Sequence, residues 1–430
     1  FHSYLCGRIA AEWLIIMNET KTLRLWNKNF ILLWQGTLFS TFGDVLYSIC
    51  IGYWVYEKTG STALMGLLTS ISMFVAMFLG PFCGAIIDRS HRKWIIVGTD
   101  LIRGLTMIGL GLIAMSNHLE VWMVLATAFI AALCNAFFTP ASMTVMTDLV
   151  MPKDLVRAQS LSGGMRSLVA MVGKGLSGAI IAFLGVPFVI LLNGISLLIS
   201  AFTECFIDVP RAPKTGMPIN LKTLFADLKD GAQYVLNDRC FRLIVIVAVS
   251  ANFFGSGMGA VFLPFCLGRG LDVVQYGYLM SLQSISALIG TIFMGTLNIR
   301  PELRIKLMLF GFPLSSLLFA LCYSMQTFNS MAFTFLITYF VSAVANAILN
   351  AAFMLIIPRE KRAMISGFIM MASSGGQALS SLAFGFIAEF VDLSVLGTVS
   401  SLISILPFIL LFVYPEIQTR FMQAELSPEI

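Results

Sequence analysis

Gly84-Ala-Ile-Ile-Asp88-Arg89-Ser-His-Arg92-Lys93 is a short charged stretch between two long apolar runs, residues 63–87 and 94–115. A helix rises about 1.5 Å per residue, so each run is long enough to cross the ~30 Å hydrocarbon core of a bilayer. The stretch therefore joins two membrane-crossing helices at one membrane surface, with three cations and one acid.

The rest of the chain fits that reading. Of 430 residues, 58% are hydrophobic and 11% charged, and mean hydropathy is +0.89. A water-soluble chain carries about 25% charged residues, so the composition implies an integral membrane protein. The net charge of +5 does not point to nucleic acid, because the cations lie in short loops and not on one soluble face. Eight cysteines are scattered, mostly inside apolar runs. With no CxxC or Cys/His cluster, they are expected to be small buried apolar residues, with no disulfide framework, metal or cofactor. Residues 1–16, ahead of Met17, contain no stretch long enough to span and nothing resembling a cleavable signal peptide.

Twelve apolar segments follow: 30–56, 63–87, 94–115, 121–147, 160–184, 187–207, 241–268, 275–298, 304–324, 329–357, 362–388 and 393–414. The expected fold is an all-α membrane protein of twelve helices in two parallel six-helix repeats. Its parts are an N-terminal segment 1–29, a bundle 30–207, a linker 208–240, a second bundle 241–414 and a tail 415–430. Within the linker, residues 222–234 suit an amphipathic surface helix. Loops and their flanks on one side carry seventeen Lys and Arg, against Lys58 and Arg269 on the other. By the positive-inside bias both termini are expected in the cytoplasm.

The halves echo one another. Gly66, Gly84, Arg89 and Asn135 recur as Gly277, Gly295, Arg300 and Asn346 at a constant offset of 211. Two like bundles imply a central cavity that opens to alternate sides. No Walker-type phosphate loop is present, so an ion gradient or the substrate's own gradient must supply the energy. The histidines, His2, His91 and His118, lie in the tail or loops and offer no nucleophile–base set, so an enzyme is not expected.

The charged stretch, with its G-x-x-x-D-R-x-x-R-K spacing, resembles the signature loop of the major facilitator superfamily of transporters. From Trp26 onward the chain looks most like that superfamily's macrolide-efflux branch of drug–proton antiporters. Trp26 through Gln35-Gly36, Thr59-Gly60-Ser61, Gly80-Pro81, Asp100 with Arg103, Ala136 through Pro140, Gln159-Ser160-Leu161, Phe188 and Asn193 carry the likeness. The resemblance implies a bacterial cytoplasmic membrane, a lipophilic small-molecule substrate, and a coupling proton (or sodium). It also implies a latch of Gly84, Asp88, Arg89, Arg92 and Lys93, whose cations meet an acid ending the fourth span, here Asp148. Two departures stand out. Ala131 occupies a position where many drug antiporters carry Arg, and Lys174 stands where the glycine-rich fifth-span motif usually has Pro.

Charges inside the membrane cost ~2.5–3.5 kcal/mol each, so they need partners or water. The candidates are Asp44, Asp100, Arg103, Arg166 and Lys174, with Glu204 near the end of the sixth span. Asp44 and Lys174 each lie fourteen residues into their spans, ~21 Å along the helix. They are expected to pair across the first and fifth spans and to couple to a proton. Asp100 and Arg103 are spaced to pair locally, and Arg166 to snorkel to the inner surface. Gln35, Asn135, Asn252, Gln283, Asn346, Asn350 and Gln377 are candidate cavity polar groups among flexible Met and Phe walls. The expected function is export of amphipathic, macrolide-like drugs in exchange for protons, by a monomer in the lipid bilayer. A transporter of a specific lysophospholipid or siderophore is the alternative.

Overall fold

The computed structural model describes residues 25–87, 90–209, 221–297, 299–357, 362–414 and 419–420. Regular structure among the described residues is helical. The first half holds α1 (Lys28–Thr59), α2 (Thr62–Ile87), α3 (Arg92–Met115), α4 (Val121–Leu149), α5 (Leu155–Leu184) and α6 (Val186–Glu204). A linker helix, α7 (Leu221–Asn237), leads to α8 (Arg239–Gly268), α9 (Val273–Thr296), α10 (Pro301–Ser324), α11 (Phe328–Ile356) and α12 (Arg362–Ile387). The last crossing is broken by a turn at Ser404–Ile405 into α13 (Leu393–Ile403) and α14 (Leu406–Val413).

Local chemistry sets the ends. The Asn27 side chain accepts the Phe30 N–H at 2.8 Å and starts α1. Gly60, left-handed at φ 64°, ends it by donating to the Tyr56 carbonyl. Asp272 and Gln275 form a reciprocal capping box at the start of α9. Eleven helices among the described residues are long and apolar enough to cross a membrane. The one long helix of the two bundles outside those eleven, α12, carries Ser373, Ser374, Gln377, Ser380 and Ser381 and packs between α2 and α8. Apolar side chains such as Leu105, Leu112, Phe183 and Phe333 are more than half exposed and form the outer surface that a bilayer covers. Of the cysteines, Cys205 is exposed at the end of α6, whereas Cys50, Cys83, Cys134, Cys240, Cys266 and Cys322 are buried as expected; Cys6 lies outside the described residues.

The packing repeats between halves. The pairs α1·α5, α1·α6, α2·α4, α3·α4 and α3·α6 recur as α8·α12, α8·α13, α9·α11, α10·α11 and α10·α13. The halves meet along α2·α12 and α5·α9, and these two seams exchange under the same correspondence. Both seams are built on glycine. A Cβ on Gly66 would lie 2.3 Å from the Ser381 carbonyl oxygen and 3.0 Å from Gly385 Cα. One on Gly178 would lie 2.4 Å from both the Val273 oxygen and Val274 Cα, and one on Gly277 would lie 2.8 Å from the Lys174 oxygen. Gly66 and Gly277 are the sequence-matched pair, and each lets a helix of one half touch backbone of the other.

Closure is confined to the end where α2 and α9 begin. At the other end of the same four helices, Gly80, Gly84, Gly163, Gly164, Gly295 and Gly367 have nothing within 4 Å of a built Cβ. Replacing Gly178 by Ala forces the α5·α9 seam apart, an overpacking cost of ~1–3 kcal/mol. Gly178→Ala is expected to lower the thermal unfolding temperature of the purified protein. Gly109→Ala, which adds its methyl into open space, is the matched control and should leave that temperature unaltered.

Asp238 ties the linker to the second half. Its carboxylate accepts the Cys240 and Phe241 N–H groups at the start of α8, and both its oxygens accept from Arg420 Nη1 at 2.9–3.0 Å. Burial pushes this carboxyl up, but Arg420 and the two N–H groups outweigh it and hold the carboxyl below its ordinary value. The stabilisation is therefore full above the unfolded value of ~3.9 and is lost as pH falls through the lower folded value. Arg420→Ala should destabilise the protein in thermal unfolding at neutral pH, with the difference from wild type fading below about pH 4.

Candidate functional site: a shared arginine and two facing cavities

The close approach of α1 and α6 places the central charge. A Cβ on Gly43 would lie 2.2 Å from Ser196 Oγ and 2.6 Å from Asn193 Oδ1, so a glycine beside Asp44 lets the helices touch. Asn193 then reaches Asp44 Oδ1 at 3.5 Å. On α3, Gly104 and Gly111 admit Leu198 and Leu191 of α6 in the same manner. Their tight packing brings Arg103 to Asp44.

Arg103 is forked between two acids. Nη2 donates to Asp44 Oδ2, and Nη1 donates to Asp100 Oδ1 at 3.3 Å. Arg103 and Asp100 side chains are 3% and 0% exposed, whereas Asp44 is 35% exposed. The ion pair therefore has one wet end. Asp44 and Arg103, with Thr37, Ser40, Asn135 and Arg166, line a cavity of about 420 Å³ in the first half.

The structure corrects the expected Asp44–Lys174 pair. Arg103 of α3 is the partner of Asp44, and Lys174 Nζ donates to Gln283 Oε1 at 3.3 Å across the α5·α9 seam. Depth along a helix was matched, but azimuth was not: Lys174 sits on the face of α5 turned to α9. Asp100 and Arg103 do pair locally, yet Arg103 reaches on into the cavity as well. Arg166 lines that cavity beside Asp44.

A second cavity of about 370 Å³ lies in the other half, lined by Asn252, Ser256, Tyr339, Asn346 and Gln377 among others. No Asp, Glu, Lys, Arg or His lines it; its polar groups are hydroxyls and amides set among Phe254, Phe312, Phe319 and Phe408. Gln377 Nε2 donates to Asn252 Oδ1 at 2.9 Å and joins α12 to α8. Of the other candidate cavity residues, Asn135 faces Asp44, and Gln283 serves the seam. Gln35 and Asn350 line neither of these two cavities.

At the open end, Arg92 Nη1 donates to Asp148 Oδ2 at 2.7 Å and ties the start of α3 to the end of α4. Lys93 stands 5.6 Å over the Trp94 ring. Asp88 and Arg89 lie outside the described residues. At the closed end is a contact that sequence inspection did not single out. Glu389, just beyond α12, accepts the Ser61 hydroxyl at 2.5 Å and the Ala63 N–H at 3.3 Å. The Thr62 hydroxyl donates to the Gly385 carbonyl at 2.8 Å. A carboxylate of one half thus caps the N-terminus of α2 in the other, where an anion is favoured. The available signal was an acid beside a span end in a sparsely charged loop.

The Major Facilitator Superfamily profile matches residues 33–298 and again 245–422. The chain belongs to the Major Facilitator Superfamily, and it is a multi-pass membrane protein of that transporter class. It is 26% identical over 186 residues to macrolide efflux protein A of Streptococcus pyogenes, covering 43% of this chain and 46% of that protein. It is 28% identical over 213 residues to the putative bacilysin exporter BacE of Bacillus subtilis (strain 168), covering 46% and 52%. The chain thus spans about half the length of the curated relatives it matches. Among solved structures, the nucleoside transporter NupG superposes with TM-score 0.69 at 15% identity, covering 89% of this chain and 99% of that one. A bacterial homologue of the human lysosomal transporter Spinster, inward-facing and occupied, superposes with TM-score 0.64 at 15% identity, covering 92% and 96%.

Removing Arg103 would leave Asp100 buried without its cation, a change that costs ~3–5 kcal/mol in comparable settings. Arg103→Ala should therefore be strongly destabilised in thermal unfolding. Arg103→Ala combined with Asp100→Asn should recover part of that loss, and its failure to do so would separate the two residues energetically.

Proposed function

We propose that this chain is a secondary active exporter of amphipathic compounds, coupled to protons through Asp44. The supporting observation is the asymmetric ion pair at the cavity wall: Asp44 is 35% exposed, whereas its partner Arg103 is 3% exposed and reaches the same cavity from inside the bundle. A proton taken up from the cavity neutralises Asp44 and releases Arg103 toward Asp100. Since α1 packs on α5 and α6, that release loosens a junction between helices that the seams connect to the other half. The proton is thereby linked to the equilibrium between states closed at opposite ends.

The cargo reading rests on the cavity walls and on the likeness to macrolide efflux protein A. A ring-rich, hydroxyl-rich second cavity without charge suits a bulky compound with many neutral polar groups. Lys174, hydrogen-bonded to Gln283, gives little support to an anionic lipid or siderophore as cargo. In this reading both termini face the cytoplasm of a bacterial cell, and the open end carries the cation-rich loops. The conformation described is then inward-open, with Glu389 on the outer α2 terminus as the outer latch.

The test is macrolide and dye efflux from cells expressing the chain, with and without a protonophore. Wild type should export in a protonophore-sensitive manner, and Asp44→Asn should lose that sensitivity together with concentrative export. Export unaffected by the protonophore in wild type would remove the proton from the mechanism. Full pH-driven transport in Asp44→Asn would remove Asp44.

A further inference from the structure

Behind Arg103, away from the cavity, lies a second acid that the export mechanism does not use. Glu204, the last residue of α6, is 0% exposed. Its Oε1 accepts a long hydrogen bond from Ser200 Oγ at 3.4 Å, and its Oε2 has no hydrogen-bond partner among the described residues. Asp100, also 0% exposed, is in the same condition: Oδ1 is on Arg103 and Oδ2 is unpaired. The Ser200 hydroxyl, one turn back on α6, hydrogen-bonds Glu204 and also acts on Asp100. On the α1 side the pocket is roofed by Gly36, where a Cβ would be 3.1 Å from Ser200 Oγ and 3.6 Å from Glu204 Cγ. No side chain from that position reaches the acids.

Among the described residues, the ionisable groups that act on the pocket are Asp44 from α1, Asp100 and Arg103 from α3, Cys134 from α4 and Glu204 from α6. Three carboxyl groups therefore share one guanidinium. Both Arg103 Nη groups are engaged, one on Asp44 and one on Asp100, and the remaining Nε–H, though unpartnered, donates to neither carboxyl group of the pocket. An ionised Glu204 would be a second uncompensated anion within a desolvated bundle, repelled by Asp100. Burying an unpaired charge is far costlier than burying a neutral acid that keeps one hydrogen bond.

We propose that Glu204 and Asp100 form a second proton-binding site, with the proton resident on Glu204 and its O–H directed to the unpaired oxygen of Asp100 or to Ser200. This goes beyond the coupling role of Asp44 and does not depend on it: the Glu204 proton is required by the charge balance of the closed pocket, whatever the cargo or driving ion. Arg103 connects the two sites, because it touches the exposed acid on one side and the Glu204 partner on the other.

The test is infrared spectroscopy of the purified full chain in lipid at neutral pH, read at the C=O stretch of protonated carboxyl groups. Wild type should show such a band from a buried acid. Glu204→Gln, the neutral isostere, should fold with wild-type thermal stability and lose that band, and Asp100→Asn should retain it. A spectrum unchanged by Glu204→Gln, or a band lost only in Asp100→Asn, would overturn the assignment. A Glu204→Gln protein that fails to fold would also overturn it, since it would mean the pocket needs the charged form. So would a band that appears only when sodium is removed, because the two acids would then be holding a cation.

Discussion

The rest of this molecule depends on how one buried guanidinium is shared. The Arg103 side chain is 3% exposed, and a charge so little solvated within a membrane-spanning bundle needs acids at hydrogen-bond distance. It meets Asp100 three residues earlier on its own helix and Asp44 on another. The first contact is a property of the helix, since residues at that spacing share a face. The second exists only because Gly43, Gly104 and Gly111 let α1 and α3 close onto α6. The ion pair therefore reports on helix packing, and any movement that separates α1 from α6 strips Arg103 of half its partners.

The same currency of small residues builds the two seams between halves. Lipid tails are as apolar as Leu, so helices in a bilayer gain little from hiding apolar surface and associate through close packing and hydrogen bonds. Gly66 with Gly385, and Gly178 with Gly277, bring backbone against backbone at one end. Across those contacts run hydrogen bonds from Ser61 to Glu389, Thr62 to Gly385, Ser281 to Met171 and Lys174 to Gln283. These are few and uncharged or singly charged, which suits a closure that must be undone. The two cavities divide the polar work: the first half holds the ionisable groups, and the second holds hydroxyls, amides and aromatic rings.

Particular residues mark how far the chain could be read directly. The local pairing of Asp100 with Arg103 was legible because a helix fixes the geometry of near neighbours. The partner of Asp44 was not: matching depths selected Lys174, but two residues at one depth can lie on opposite sides of their helices, and Lys174 faces α9. Glu389 escaped notice because its partner, the start of α2, lies more than 320 positions away. Glu204 was visible as a charge near a span end, yet nothing in the sequence shows that it lacks a cation.

The amino-acid order alone determined that this is a membrane protein of twelve crossings in two like halves, because hydropathy, span length and repeat offset are local or additive properties. Only the tertiary structure decided which charges meet, which end is closed, and where an acid is left without a counter-ion. Those outcomes depend on helix rotation and on backbone approach at a few glycines, which no count along the chain can supply.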